Sequence, residues 1–255
     1  MDIFQAFILG IVQGLTEFLP VSSSGHLLLV RDIMGITGDY IFFDLMLHVG
    51  SLLAILITMY NPIVKLFKPP FGQAILIAIA SIPAIILGFC MRSTISTVFG
   101  DAKYLTFFFM FTAIMLLVCQ WLSNKIGDKG KQEVDIKTAV CMGLAQGVAI
   151  FPGISRSGST ITGGIARGAN RQAVAIFSFL MSIPIILGGA LVEAMGDGVL
   201  DNIAISQIIV GGMSSFASGF LAIKVMLKLI AKADFKWFSL YLAILSIICF
   251  FVYFL

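Results

Sequence analysis

Two stretches of the chain are one pattern written twice. Gln13-Gly14-Leu15-Thr16-Glu17-Phe18-Leu19-Pro20-Val21-Ser22-Ser23-Ser24-Gly25-His26 lies over Gln146-Gly147-Val148-Ala149-Ile150-Phe151-Pro152-Gly153-Ile154-Ser155-Arg156-Ser157-Gly158-Ser159 at a constant shift of 133 residues. Gln13/Gln146, Gly14/Gly147, Phe18/Phe151, Ser22/Ser155, Ser24/Ser157 and Gly25/Gly158 then coincide without a gap. Each copy interrupts an apolar run with Ser, Gly and Pro, so a fold for this chain must house two similar interruptions. The copies diverge where chemistry would be divided: Glu17 faces Ile150, Ser23 faces Arg156, and His26 faces Ser159. The pair reads as two halves of one site.

The solvent around those interruptions follows from composition. A chain of 255 residues that is 59% hydrophobic and 11% charged has too few polar residues to coat a soluble globule, which places it in a bilayer. The start Met1-Asp2 lacks a basic region, and its first apolar run meets Gln13 and Glu17, so a signal peptide is not expected. Cys90, Cys119, Cys141 and Cys249 show no C-x-x-C spacing and only His26 and His48 accompany them, so a zinc cluster is not expected either. The formal charge of +3 is small and implies no nucleic-acid partner.

A spanning helix rarely tolerates Gln, Glu, Pro, three serines, Gly and His at its middle. Non-helical backbone at membrane depth survives where it is buried in protein or lines a watery cavity. Residues 2–33 are therefore expected to form a re-entrant helix-loop-helix hairpin, followed by spans at about 40–60, 73–92 and 103–122. The polar stretch at about 123–135 reads as a linker, and a second hairpin at about 136–167 precedes spans at about 172–193, 204–228 and 237–255. The expected fold is an all-α polytopic membrane protein, one domain over 1–255, with repeats at about 1–122 and 136–255. Three spans per half put the second half in from the opposite side, giving inverted-topology repeats. A further likeness, Ser81-Ile82-Pro83 to Ser182-Ile183-Pro184, has a conflicting offset and is set down to convergence between Pro-containing helices.

Loop charges give the orientation. With the N-terminus outside, the cytoplasmic connectors carry Lys65, Lys68, Lys125, Lys129, Lys131, Lys137, Arg167, Arg171, Lys224, Lys228, Lys232 and Lys236, twelve against Arg31, Arg92 and Lys103 outside. That bias follows the positive-inside rule.

Arg156 is the cation left over, at the break of an apolar segment, where an unpaired charge costs about 2.5–3.5 kcal/mol on insertion scales. Something anionic must offset it. One candidate is Glu17, brought close by the repeat; the other is a phosphate, for which the guanidinium fork, Ser155, Ser157, Ser159, Thr160 and the backbone around Gly153 and Gly158 are donors. A helix resuming after Gly158 would aim its positive end there. Glu17 lies four residues after Gln13, so both share one helical face. It would either neutralise Arg156, act as a base, or share a divalent cation with the substrate. His26 sits in the same break as Ser22, Ser23 and Ser24, and a nucleophile, a base and an electrophilic clamp would then be present together. Ser23 is the preferred hydroxyl, while Ser22 and Ser24 have repeat equivalents that suit loop shaping or substrate contact. Asp44 and His48, four apart on the first span, are expected to bond each other.

These motifs resemble a known family. Gln13-x-x-x-Glu17 with Phe18 to His26, and Pro152-Gly153-Ile154-Ser155-Arg156-Ser157-Gly158-Ser159-Thr160, are similar to the two signature motifs of the bacterial undecaprenyl-diphosphate phosphatases, the family linked to bacitracin resistance. The resemblance covers the whole chain in length and motif order. It implies hydrolysis of undecaprenyl diphosphate to the monophosphate carrier lipid reused in peptidoglycan synthesis, in the bacterial cytoplasmic membrane, with the site toward the outside. It also implies Glu17, Ser23, His26 and Arg156 as catalytic residues, and a polyprenyl diphosphate as substrate. Mg²⁺ or Ca²⁺ would come bound with the diphosphate, Glu17 being the carboxylate able to share it, and no organic cofactor is implied. Many members carry Glu at the position of Gln13 and Thr at that of Ser24, so here Glu17 would serve alone.

The fragments Ser24-Gly25-His26 and Ser155-Arg156 are also similar to acid-phosphatase-type lipid phosphatases, but no proline precedes Ser24 and no histidine follows His48. The rival from another class is a lipid-phosphate transporter, since inverted repeats with broken helices also build carriers. Both a monomer and a homodimer fit these features.

Overall fold

A computed structural model describes residues 1–38, 40–99, 101–126, 130–194, 203–230 and 234–255, the side chains of Ile41, Arg92, Ser96, Phe99, residues 190–194 and Leu229 excepted. Of the charges assigned above to loops, Lys129, Lys232 and the side chain of Arg92 lie outside this description. Among the described residues the regular elements are helical. The first half holds α1 (Ile3–Phe18), α2 (Ser23–Ile33), α3 (Ile41–Thr58), α4 (Tyr60–Leu66), α5 (Gly72–Cys90), α6 (Arg92–Phe99) and α7 (Leu105–Ile126). The second holds α8 (Ile136–Val148), α9 (Arg156–Ala166), α10 (Arg171–Ala194), α11 (Ile205–Leu229) and α12 (Phe235–Phe254).

Five helical segments are long and apolar enough to cross a membrane, and a sixth is counted if α3 and α4, bent by 85°, form one span. These match the six expected spans. The chain differs from expectation in three places. α4 turns away where the first span was expected to run on to about residue 60; α6 is an additional short helix; and α7 continues through Ile126, so the linker begins later than residue 123.

The hairpin arms are too short to cross alone. α1 has 16 residues and α8 has 13, about 24 and 20 Å at the helical rise, against a hydrocarbon core of about 30 Å. Each runs instead into a polar break and a second short helix of 11 residues, α2 or α9, packed against it. Caps start these helices: Asp2 accepts from Gln5 N at 2.7 Å while Gln5 Oε1 accepts from Asp2 N at 2.8 Å, and Asp135 accepts from Thr138 N at 2.8 Å.

What holds the hairpins is a seam of small residues. Lipid is as apolar as leucine, so helices in a bilayer associate through close packing and interhelical hydrogen bonds, which small residues allow. Gly10 and Gly14 of α1 face α11, where a Cβ on Gly10 would lie 2.3 Å from Gly211 O and one on Gly14 2.3 Å from Ser215 O. Their repeat equivalents Gly143 and Gly147 on α8 face α5, and a Cβ on Gly143 would lie 2.4 Å from Ala80 O. Ser214 Oγ donates to Phe7 O at 3.1 Å and Ser215 Oγ to Leu47 O at 2.7 Å, tying α11 to α1 and α3. Each hairpin thus docks on the other half's helix, and α7 packs along α12, its counterpart. This exchange of partners is consistent with inverted repeats.

Apolar side chains such as Phe89, Trp237, Ile205 and Phe251 face outward, as the lipid-facing surface of a membrane protein must. Replacing Gly10 by Leu should separate α1 from α11 and lower the unfolding temperature in detergent by several degrees. Gly88→Ala, where a Cβ meets nothing within 4 Å, should be neutral or stabilising by up to ~1 kcal/mol in the same measurement.

Candidate active site

The two breaks meet and are stitched to each other. Ser22 caps α2 from a left-handed backbone, φ +70°, and its Oγ accepts from Gly25 N at 3.4 Å and, across the repeat, from Gly153 N at 3.0 Å. Ser155 caps α9 in the equivalent way, accepting from Gly158 N at 3.1 Å. Ser157 Oγ donates to Leu19 O at 2.9 Å, and Thr112 of α7 donates to Gly153 O at 2.8 Å while accepting from Ser155 N at 3.2 Å. Gly153, φ +95°, and Gly25 come so close that a Cβ on Gly25 would sit 2.8 Å from Gly153 N. Two glycines are required there because backbone meets backbone. Helix α9 begins at Arg156, three residues before the start expected after Gly158, because Ser155 supplies the cap.

Glu17 is the centre of the site. Its side chain is buried, and one oxygen, Oε1, meets Arg156 Nη2 at 2.5 Å. The other, Oε2, accepts from Ser23 Oγ at 2.6 Å and Gln13 Nε2 at 2.9 Å, with His48 Nε2 at 3.7 Å. Carboxylate, hydroxyl and guanidinium therefore form one hydrogen-bonded unit from α1, α2 and α9, charge-assisted throughout. Arg156 reaches on through Nη1 to Ser178 O at 3.3 Å on α10. A guanidinium carries five N–H groups; the hydrogen bonds of Arg156 use two, and its side chain keeps 15% exposure.

His26 is placed differently. Its Nδ1 lies 2.7 Å from Ser22 O and its Nε2 lies 2.7 Å from Tyr241 Oη on α12; the ring stacks on Tyr241 and meets Phe109 edge-on. A carbonyl only accepts, so Nδ1 carries the proton and Nε2 accepts from the tyrosine. Both ring nitrogens are thus engaged, and His26 makes no hydrogen bond to Glu17, Ser23 or Arg156.

The expected phosphate donors divide in the same manner. Ser22, Ser155 and Ser157 bind the two loops to each other, Thr160 bonds Arg156 O at 2.9 Å and Ser178 Oγ at 2.7 Å, and Ser159 donates to Met115 Sδ at 3.4 Å. Ser24 keeps partial exposure, with a 3.4 Å contact to Ser22. Asp44 and His48 do not pair through their side chains as expected. Asp44 forms an ion pair with Arg31 of α2, and His48 Nδ1 turns to the Asp44 carbonyl oxygen at 2.8 Å, which frees Nε2 to face Glu17. Arg31, Ser178 and Tyr241 were not singled out from the sequence; Tyr241 stands 215 positions from its partner, with no local pattern to link them.

Among the described residues no group of three His, Cys, Asp or Glu side chains could hold a metal ion. The carboxylates at the site fit a protein-held cation poorly, since both Glu17 oxygens and the Asp44 carboxylate already meet cations or donors.

Removing one partner of a buried ion pair leaves the other charge uncompensated, typically at a cost of about 3–5 kcal/mol. Arg156→Ala should therefore lower thermal stability in detergent, and adding Glu17→Gln to it should restore much of the loss, because a neutral amide tolerates the same burial.

Comparison with known proteins places this geometry. A family profile described as "Bacitracin resistance protein BacA" matches residues 6–248. Among similar proteins, one from Carboxydothermus hydrogenoformans is 40% identical over 97% of this chain and 96% of its own length. Others from Halothermothrix orenii, 38% identical over 97% and 96%, and Methanosphaera stadtmanae, 37% identical over 97% of each, carry the same name, undecaprenyl-diphosphatase. With the family profile spanning nearly the whole chain and both hairpin breaks, the protein belongs to the bacitracin resistance protein BacA family.

Proposed function

We propose that this protein is an integral membrane phosphatase that hydrolyses undecaprenyl diphosphate to undecaprenyl phosphate and inorganic phosphate, returning the carrier lipid to peptidoglycan synthesis and giving bacitracin resistance. The observation that carries the reading is the Ser23–Glu17–Arg156 unit: a hydroxyl donating to a carboxylate at 2.6 Å beside a guanidinium with N–H groups to spare. The relatives' shared name supplies the substrate class.

The chemistry follows from those positions. The terminal phosphate binds the remaining Arg156 N–H groups at the N-terminus of α9, where the helix dipole also favours an anion. Ser23 gives its proton to Glu17 Oε2 as its oxygen attacks the terminal phosphorus; the bridging P–O bond breaks and undecaprenyl phosphate leaves. Water then attacks the phosphoserine as the restored Glu17 carboxylate takes a proton from it, the P–O bond to Ser23 breaks, and inorganic phosphate departs as Glu17 Oε2 returns that proton to Oγ. Charge stabilisation by the fixed guanidinium and the α9 amides, in a partly dry site, supplies most of the acceleration. His26 shapes the loop that presents Ser23, through the Ser22 carbonyl it holds. A Mg²⁺ or Ca²⁺ accompanying the substrate would be held by phosphate oxygens, and no step here runs through it.

The charge bias supports a cytoplasmic-membrane placement with N-terminus and site toward the outside, the second repeat being inverted relative to the first. The prenyl tail would leave sideways between helices into lipid.

Purified protein in detergent should release phosphate from undecaprenyl diphosphate. Ser23→Ala and Glu17→Gln should each lower kcat by about 10²–10⁴, and Arg156→Lys should cost roughly 10²–10³ because an ammonium cannot reproduce the fork. Unchanged turnover in all three, with folded protein, would remove the proposed site.

A further inference from the structure

The scheme above leaves a proton on Glu17 after the first half of the reaction, and the second half needs that carboxylate free again to take a proton from water. The structure contains a group suited to receive it. His48 Nε2 lies 3.7 Å from Glu17 Oε2, the same oxygen that faces Ser23 Oγ. Its Nδ1 is 2.8 Å from the Asp44 carbonyl, which only accepts, so Nδ1 carries a proton and Nε2 is the ring nitrogen that faces Glu17. The imidazole side chain keeps 28% of its exposure whereas that of Glu17 keeps 6%, so His48 links a buried carboxylate to the open side of the site. His26, the other histidine, has both nitrogens occupied and no contact with Glu17.

The charges around His48 suit a transient imidazolium. Glu17 on α1 faces it, with Arg156 of α9 on the far oxygen of that carboxylate. On its own helix the Asp44 side chain is turned to Arg31 of α2. Opposite Leu47 and Gly50, α11 presents the uncharged Gly211, Gly212 and Ser215, and its charges Lys224 and Lys228 follow at least nine residues later, about 13 Å along the helix. Lys65 sits beyond the 85° bend into α4, and Arg171 is at the start of α10, while Glu193 lies outside the described side chains.

We infer that His48 takes the proton from Glu17 between the two halves of the reaction and passes it to solvent. The inference rests on the reading of Glu17 as base. In the step, the Glu17 Oε2–H bond breaks, an N–H bond forms at His48 Nε2, directly or through one water, and the carboxylate is restored. His48 then loses that proton to water. It acts through Glu17 and does not touch the substrate.

The test is rapid-mix kinetics on full-length protein in detergent with undecaprenyl diphosphate, following undecaprenyl phosphate and inorganic phosphate separately. His48→Gln should keep a first-turnover burst of undecaprenyl phosphate near one equivalent, while steady phosphate release falls on the order of 10²-fold. Added imidazole should restore part of the turnover of His48→Ala. Wild-type phosphate release by His48→Gln would overturn the inference. So would equal loss of burst and steady rate without imidazole rescue, which marks a merely structural residue. Glu17→Gln, run alongside, should show no burst; a full burst there would sink the base role of Glu17 itself, and the His48 role with it.

Discussion

The ion pair between Glu17 and Arg156 is the contact on which the rest of this structure depends. Each charge is buried in a protein that offers little water, and neither would be tolerated there alone. Their pairing fixes the distance between the two hairpins, since one charge comes from each. It also sets the site before substrate arrives: the carboxylate lies between the guanidinium and a hydroxyl that donates to it. A diphosphate meeting this arrangement finds its electrostatic partner already oriented, so little reorganisation is left to the moment of reaction.

The repeat divides labour along the same line. In both copies the first helix carries a small-residue seam, the break carries a capping serine, and the second short helix starts at a fixed offset from it. What differs is the chemistry attached to that frame. The first copy has Gln13 and Glu17 on α1 and Ser23 at the start of α2; the second has Arg156 where the first has Ser23. Gln146, equivalent to Gln13, is buried with no hydrogen-bond partner for its amide among the protein atoms, whereas Gln13 bonds Glu17. The pattern repeats while the side chains on it do not: the first copy supplies the carboxylate and the hydroxyl, the second the guanidinium.

Much of this was legible in the chain because membrane depth makes polar residues conspicuous. The six apolar spans and the two breaks follow from composition and span length, and Glu17 was one of two anions offered for Arg156 because an unpaired charge is expensive in hydrocarbon. The roles of the serines were less legible. Ser155 and Ser157 looked like phosphate donors by composition, yet a break in a buried helix leaves backbone groups without partners: Ser22 and Ser155 accept from backbone amides, and Ser157 donates to a carbonyl. The partner of His26 was hidden for a different reason, since the Tyr241 contact joins residues that share no periodicity and no motif. His48 was visible, but its direction was not: the competition between the Asp44 side chain and the Asp44 carbonyl is decided by Arg31, on another helix.

The seam that docks α1 on α11 sets an order on assembly. The first hairpin leaves the ribosome early, but the glycines and serines that receive it, from Gly211 to Gly219, lie about 190 residues further on. At roughly 5–20 residues per second the hairpin waits on the order of 10–40 s for its partner. Its glutamate waits 139 positions for Arg156, and its backbone waits longer still for α11. The newborn first half is thus a segment that lipid alone cannot satisfy. It must stay near water, or in the care of the insertion machinery, until the second half has been made.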